Sequence, residues 1–429
     1  MKKILLISAV AAVSLFGLDF APLGYKSIGM GGAGVANATG SASAYYNPAL
    51  LAKHRYTVEI SLSAGLGMRE INLIDPIDKL ANDYKLTDTI KTIADNAPVS
   101  GSNKPETRNN IKGALNEIYK LSTGNGVTVE PTAAFSFQIG NFGLGVYGLG
   151  DLTANAVIDR ERLYLIFYSE DTNGYYYYIP DTDTYGSTDK QTYEKYSLEY
   201  ALDNNLTYLN VNGIGIAEVP ISYATTFDVK GAEVSIGMNL KYMQGVTYKT
   251  TLKLDTDSDT LEDSLDTNKK TSTDVGVDLG VLVNAGGIRF GLVGKYLNSP
   301  EFDYYDGSKY KIDPMVRGGV ALDLTNWLTF AMDIDLTEND TGIKDFKSQY
   351  VGGGFNIHQS WFSIRAGAMR NLVQDEEGTI LTAGVGFGLK WFQLDVAAEA
   401  STKKGTYDGN DIPRYFKVNV ALVSRWGGK

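Results

Sequence analysis

The sequence has no cysteine, two histidines and eleven prolines in 429 residues. Without cysteine there are no disulfide staples, no thiolate metal ligands and no thiol nucleophile. His54 and His358 lie far apart, and no G-x-S-x-G elbow accompanies them. A zinc site or a Ser–His hydrolase therefore has little to work with, and both histidines read as rim residues rather than parts of an enzyme. Positive charge is also short, with 39 Lys and Arg against 50 Asp and Glu. That balance excludes nucleic acid as a partner, because phosphate binding needs clustered cations. Long hydrophobic runs are missing too. The apolar stretch Ile4 to Leu18 covers 15 residues, short of the roughly 20 that a membrane helix needs. It follows Lys2 and Lys3 and reads as a signal peptide over residues 1–17, cleaved between Ser14 and Gly17.

What the chain does have is 47 glycines, 28 tyrosines and repeated alternation of apolar and polar residues. From Val58 to Met68 the residues Val58, Ile60, Leu62, Ala64, Leu66 and Met68 share one face, opposite Glu59, Ser61, Ser63, Gly65 and Gly67. Phe392 to Ala400 and Tyr415 to Trp426 repeat the pattern. Period two indicates strands with one apolar and one polar face.

Fourteen such strands are predicted. They are Tyr56–Met68, Val127–Ile139, Phe142–Val157, Val211–Phe227, Ala232–Leu252, Thr271–Asn284, Ile288–Leu297, Pro314–Leu324, Trp327–Leu336, Ser348–Ile357, Trp361–Leu372, Thr379–Leu389, Phe392–Ser401 and Arg414–Trp426. Tight turns such as Gly140-Asn141 and Thr325-Asn326 alternate with longer polar loops, above all 69–126 and 158–210. A soluble sandwich has no need of that rhythm. A meander with short periplasmic turns and long outer loops requires it. The expected fold is thus an all-β transmembrane antiparallel barrel over residues 56–429, in the outer membrane of a Gram-negative bacterium and with outer-membrane lipid as a partner. Trp327, Trp361, Trp391 and Trp426 all fall at the short-turn rim, where amphipathic indoles favour the membrane interface.

Residues 18–55 are different. They are rich in Gly, Ala and Ser and show no sustained alternation. Gly29-Met30-Gly31-Gly32-Ala33-Gly34 formally fits G-x-G-x-x-G, but no strand precedes it and no acid occurs from Tyr25 to Arg55, so a dinucleotide site is a poor reading. Tight, closely packed backbone is the better one. This stretch, followed by Tyr46-Asn47-Pro48-Ala49-Leu50, resembles the N-terminal signature of the FadL-like outer-membrane barrels, and within them the conjugal-transfer TraF-type proteins. The resemblance implies a fourteen-stranded barrel with an N-terminal plug, carried by Gly29, Gly31, Gly32, Gly34, Tyr46, Asn47 and Pro48. It also implies passage of small hydrophobic molecules, or a link to conjugation and secretion proteins. One departure is the tail Gly427-Gly428-Lys429 beyond Trp426, where many such chains end on an aromatic residue.

A plug needs anchors on the inward faces, and Glu233, Lys241, Arg289, Arg317, Asp333, Arg365 and Glu399 are the candidates, with Asn47 as the anchoring side chain. Pro131 and Pro220 interrupt the second and fourth strands and bracket a third strand containing Gly143, Gly145, Gly148 and Gly150. Proline cannot donate to a ladder, so this is where a lateral gate is expected, against the alternative of two ordinary bulges. Asp255, Asp257, Asp259, Asp263 and Asp266 fall at EF-hand positions 1, 3, 5, 9 and 12, but Thr260 replaces the expected Gly. A solvated acidic loop is the plainer reading, and calcium is the only cofactor the sequence suggests. The run Tyr175 to Tyr178, and the helical stripe Ile111, Leu115, Ile118 and Leu121, are expected to pack the long loops over the barrel mouth. The leading function is a passive channel for small hydrophobic molecules. The alternative is a structural or secretion-accessory barrel without transport.

Overall fold

The structure is a computed structural model that describes residues 20, 22–53, 56–256, 267–389, 391–407 and 409–428. The proposed signal peptide, His54 and most of the acidic loop at 257–266 lie outside the described residues.

Fourteen antiparallel strands close into one barrel. They are β1 (Tyr56–Ile71), β2 (Gly126–Ile139), β3 (Phe142–Val157), β4 (Tyr208–Val229), β5 (Ala232–Leu252), β6 (Lys269–Ala285), β7 (Ile288–Lys295), β8 (Met315–Thr325), β9 (Leu328–Asp335), β10 (Tyr350–His358), β11 (Phe362–Asn371), β12 (Thr379–Leu389), β13 (Phe392–Ser401) and β14 (Tyr415–Gly428). Each pairs with its sequence neighbour, and β14 closes on β1 from Tyr56↔Gly428 to Arg69↔Tyr415. Every strand expected from alternation is present, and among the described residues the tight turns fall where expected. The turn chemistry explains why. Lys230-Gly231 and Gly286-Gly287 both take positive φ at consecutive residues, the conformation of a two-residue hairpin that matches the twist of its strands.

The outward face is an apolar belt. Leu62, Phe135, Leu144, Ile221, Leu240 and Phe290 are all exposed, as are the four tryptophans at the short-turn rim. In a transmembrane barrel this is the surface that meets lipid.

The wall is not of even height. β4 and β5 run for 22 and 21 residues, β7 and β9 for only 8 each. On the tall side the outward positions change character above the belt. Val127, Val129, Leu152, Ala154, Leu209 and Val211 share the outward face with Phe135, Leu144 and Ile221, yet all six are buried. They form one hydrophobic cluster with residues of the two longest loops. Those loops fold into helices Leu86–Asn96 and Pro105–Lys120 and a three-stranded sheet, Ile166–Ser169, Gly174–Ile179 and Thr184–Thr188. Ile111, Ile118 and Leu121 belong to this cluster. The expectation that this stripe covers the mouth is therefore corrected. It packs on the outside of the tall wall, because the same period-two alternation that faces lipid lower down offers an apolar surface to a helix higher up.

The mouth itself is covered from within by shorter loops. The hairpin Glu301–Asp303 with Lys309–Lys311 lays Phe302 over Gly245 on the inward face of β5. The loop 336–349 places Ile343 and Phe346 against inward Ile71, and its Lys344 N–H donates to Asn155 Oδ1 at 3.2 Å.

Candidate functional site

Inside the barrel, buried charges are paired, some across neighbouring strands and others over a longer reach, Arg365 on β11 with Asp395 on β13 and Arg69 on β1 with Glu377 in the loop before β12. Arg69 Nη1 meets Glu130 at 2.7 Å and its Nε meets Glu377 at 2.8 Å. Lys241 Nζ lies 3.0 Å from Asp278 and 3.2 Å from Glu218. Arg317 Nε reaches Asp335 at 2.5 Å, and Arg365 Nη1 reaches Asp395 at 2.7 Å. All these side chains are almost fully buried. A buried charge is costly alone, so these partners stabilise one another and form a polar collar around the lumen.

Residues 22–53 contact the inward faces of strands all round this collar. Asp333 Oδ2 accepts the N–H groups of Gly34 at 2.7 Å and Val35 at 2.9 Å. Thr382 Oγ1 accepts Gly31 N–H at 2.9 Å, and Glu59 Oε1 accepts Ser41 N–H at 3.0 Å. Arg289 Nε donates to Ala36 O at 3.2 Å, and Asn239 Nδ2 to Ala44 O at 2.8 Å. Asn47 Nδ2 donates to Val35 O at 3.0 Å and to Val281 O at 3.1 Å, while its Oδ1 accepts Ala49 N–H. Tyr46 Oη bonds Leu23 O at 2.8 Å and tethers both ends of the segment together. Gly31 shows why the sequence needs glycine here. Its φ is +66°, and a Cβ would run into Ala368 O and the backbone of Gly353. Pro48 sits against Gly237 and Gly280 in the same manner.

Of the inward candidates from sequence, Lys241, Arg317, Asp333, Arg365 and Glu399 are buried in the lumen. Glu233 instead sits at the short-turn rim, where it bonds Lys53 and Asn284. Arg289 pairs with Asp323 through both terminal nitrogens. Sequence reading missed Lys295, which stacks 3.6 Å from the Tyr45 ring; Arg317, which it did name, stands over Phe20 at 3.8 Å. A lysine on a strand gives no sign of which aromatic it will meet.

At the two prolines the ladder lapses but does not slip. Between β2 and β3 the pairing runs Val129↔Leu152, skips Glu130 and Pro131, and resumes at Thr132↔Leu149. Between β3 and β4 it runs Leu144↔Ile221, skips Gly145, Val146, Val219 and Pro220, and resumes at Tyr147↔Glu218. The register is the same on both sides of each lapse, so neither is a bulge. The first lapse adjoins Val129 and Leu152, under the loop cluster. The second lies in the belt, between exposed Val146 and Ile221. On its lumen side stand Tyr147 and residues 44–51, with Leu51 against Gly143 and packed on Ala224. Gly148 opposes Ala133 within the paired part of β3.

At the short-turn rim the lumen opens into a cavity of about 460 Å³. Its lining includes Lys26, Ala36 to Gly40, Glu59, Arg289, Asp323, His358 and Arg425. In the outer loops, Tyr178 is buried and donates to Asp183 Oδ1 at 2.8 Å, while Tyr175 lies between the rings of Tyr168 and Tyr193 at 5.2 and 5.0 Å. The tyrosine run thus packs the loop sheet itself rather than the mouth. Burial pushes the nearby Glu199 carboxyl up to about 7, although Tyr168 N–H bonds it at 2.8 Å. Asp255, at the start of the acidic loop, accepts Thr87 N–H at 3.0 Å. Among the described residues no cluster of three or more His, Asp or Glu is placed to hold a metal ion.

A family model described as "F plasmid transfer operon, TraF, protein" matches residues 44–335, more than half of the chain. The chain belongs to this TraF family. No curated protein sequence matches it. Among solved structures, the CymD monoaromatic hydrocarbon channel is 11% identical and superposes with a TM-score of 0.50, over 96% of this chain and 99% of that one. The P. putida toluene transporter TodX is 10% identical, with a TM-score of 0.49 over 96% and 100% of the two chains. A Pseudomonas aeruginosa FadL homologue is 9% identical, with a TM-score of 0.46 over 96% and 100%. At these identities the CymD match shows a shared barrel fold and goes no further.

Proposed function

We propose that this TraF-family barrel is an outer-membrane channel for small hydrophobic molecules, shut at rest by its N-terminal segment and emptied sideways beside β3. The observation that carries the reading is the lapse at Val146 and Pro220. It lies in the lipid-facing belt, and its lumen side is closed by residues 44–51 of that same segment. A straight route for an apolar solute would cross the collar of buried ion pairs, which a hydrocarbon cannot solvate. A sideways route avoids it. CymD, whose fold this chain shares, is a monoaromatic hydrocarbon channel. Short turns and residues 22–53 then face the periplasm, and the long loops face the outside.

The absence of native cysteine gives a clean test. By register Val146 and Val219 oppose each other across the lapse. Val146→Cys with Val219→Cys, oxidised, staples the wall. Toluene uptake into proteoliposomes should fall at least tenfold on oxidation and return on reduction. Equal uptake in both states refutes the sideways exit.

A second reading, an accessory barrel for conjugation or secretion, is favoured by the transfer-operon description of the matching family. Co-purification with a secretion complex, together with no solute flux in either oxidation state, selects it.

A further inference from the structure

We propose that Tyr147 is the inner door of the exit beside β3, a ring carried by the wall itself and held closed by Tyr45 of the N-terminal segment. The inference rests on the sideways exit proposed above and adds the part that moves. Along β3, Phe142, Leu144 and Val146 are exposed on the outward face, so Gly143, Gly145 and Tyr147 point inward. By the register on either side of the lapse, Gly145 stands opposite Pro220. Glycine brings no side chain and proline no N–H, so neither closes the gap. Over Gly143 the cover is Leu51, a residue of the segment. Over Gly145 it is the Tyr147 ring, which turns back along its own strand. A Cβ built on Gly145 would stand 3.1 Å from Tyr147 Cζ and 3.2 Å from its Oη.

The far side of the ring meets Tyr45, edge to face, with centroids 5.4 Å apart and planes at 68°. Tyr45 in turn carries the Lys295 ammonium 3.6 Å from its ring centre. Both tyrosines are 2% exposed, and a close-packed ring has no room to swing while its neighbour stays. The opposite jamb is held firmly. Glu218, the register partner of Tyr147, accepts Tyr296 Oη at 2.5 Å and Lys241 Nζ at 3.2 Å. Opening therefore takes two steps. The segment withdraws Tyr45, and Tyr147 then changes rotamer and leaves Gly145 uncovered. No ladder bond breaks at the exit, because the pairing there has already lapsed.

The test is toluene uptake into proteoliposomes holding the full chain, with and without the oxidised Val146→Cys and Val219→Cys staple. Tyr147→Ala should raise uptake at least tenfold, and Tyr147→Phe, which restores the ring, should bring it back to within about twofold of the wild type. Tyr45→Ala removes an edge-to-face partner and should raise uptake roughly twofold to tenfold. Added to Tyr147→Ala it should raise uptake no further, because Tyr45 acts through that ring. A residue that merely packed the segment would add its effect in both backgrounds. The oxidised staple should abolish the gain in every variant. Heat-shifted gel mobility shows which variants are folded. Where Tyr147→Ala loses that mobility, Tyr147→Leu, which fills the core but ends short of Gly145, replaces it with the same outcomes expected. Unchanged uptake on loss of the ring, or full additivity with Tyr45→Ala, while the staple still blocks the wild type, overturns the door and leaves the exit standing. A staple without effect in any form overturns the exit and the door together.

Discussion

Asp333 is the strongest single link between wall and N-terminal segment, and Asp333→Ala should loosen that segment without opening the barrel. One carboxylate oxygen takes two backbone N–H groups, at 2.7 and 2.9 Å, in a fully buried setting. Hydrogen bonds to a charged acceptor contribute about 1.5–3 kcal/mol each, so two contribute ~3–6 kcal/mol. Removing a buried carboxylate also relieves some desolvation, and Arg317 keeps its bond to Asp335 at 2.5 Å. The net change should be ~2–3 kcal/mol, which multiplies the displaced population by ~30 to ~150 at about 1.4 kcal/mol per tenfold. Ala33 is fully buried within the segment and the chain has no other thiol. Ala33→Cys therefore reports displacement through its rate of maleimide labelling. In an otherwise wild-type background labelling should be slow. With Asp333→Ala it should rise by the factor above, and with Asp333→Asn, which keeps an acceptor but loses its charge, by roughly tenfold. A change under threefold with Asp333→Ala would show that this pair of bonds does not hold the segment.

Two further outcomes follow from the outer loops. Because the Glu199 carboxyl is raised to about 7 in the folded state, it binds a proton there that the unfolded chain has lost, so loop-domain stability should fall as pH rises from about 4.5 through 7. Glu199→Gln should flatten that slope in melts followed by tyrosine fluorescence, and an unchanged slope would remove Glu199 as its cause. Ile118→Ala, at a fully buried position of the loop cluster, should cost about 2–5 kcal/mol locally. It should speed proteolysis of the loops while the barrel keeps its heat-shifted mobility on gels.

The barrel was legible in the sequence because each strand needs only a two-residue period and each short turn only two or three residues of the right kind. Trp327, Trp361 and Trp391 marked one rim for the same local reason. What alternation cannot tell is the medium an apolar face will meet. Phe135 and Val129 stand on the same face of β2, one exposed in the belt and the other under a loop. That depends on where residues 111–121 come to rest, which is a long-range matter. Pro131 and Pro220 announced weak points in the ladder, but not that the register would carry through them unchanged. The pairing of Arg69 with Glu377 joins residues 308 apart in sequence, and nothing near either one foretells it.

The uneven wall gives the molecule a bearing within the plane of the membrane. Over β1 to β5 a folded loop layer leans on the outer flank of the barrel, while β7 and β9 end after 8 residues. A neighbouring barrel approaching the tall flank meets that layer first and is held off above the apolar belt. From the low flank it can come wall to wall. The exit proposed beside β3 is on the tall flank, so crowding in the membrane leaves it clear.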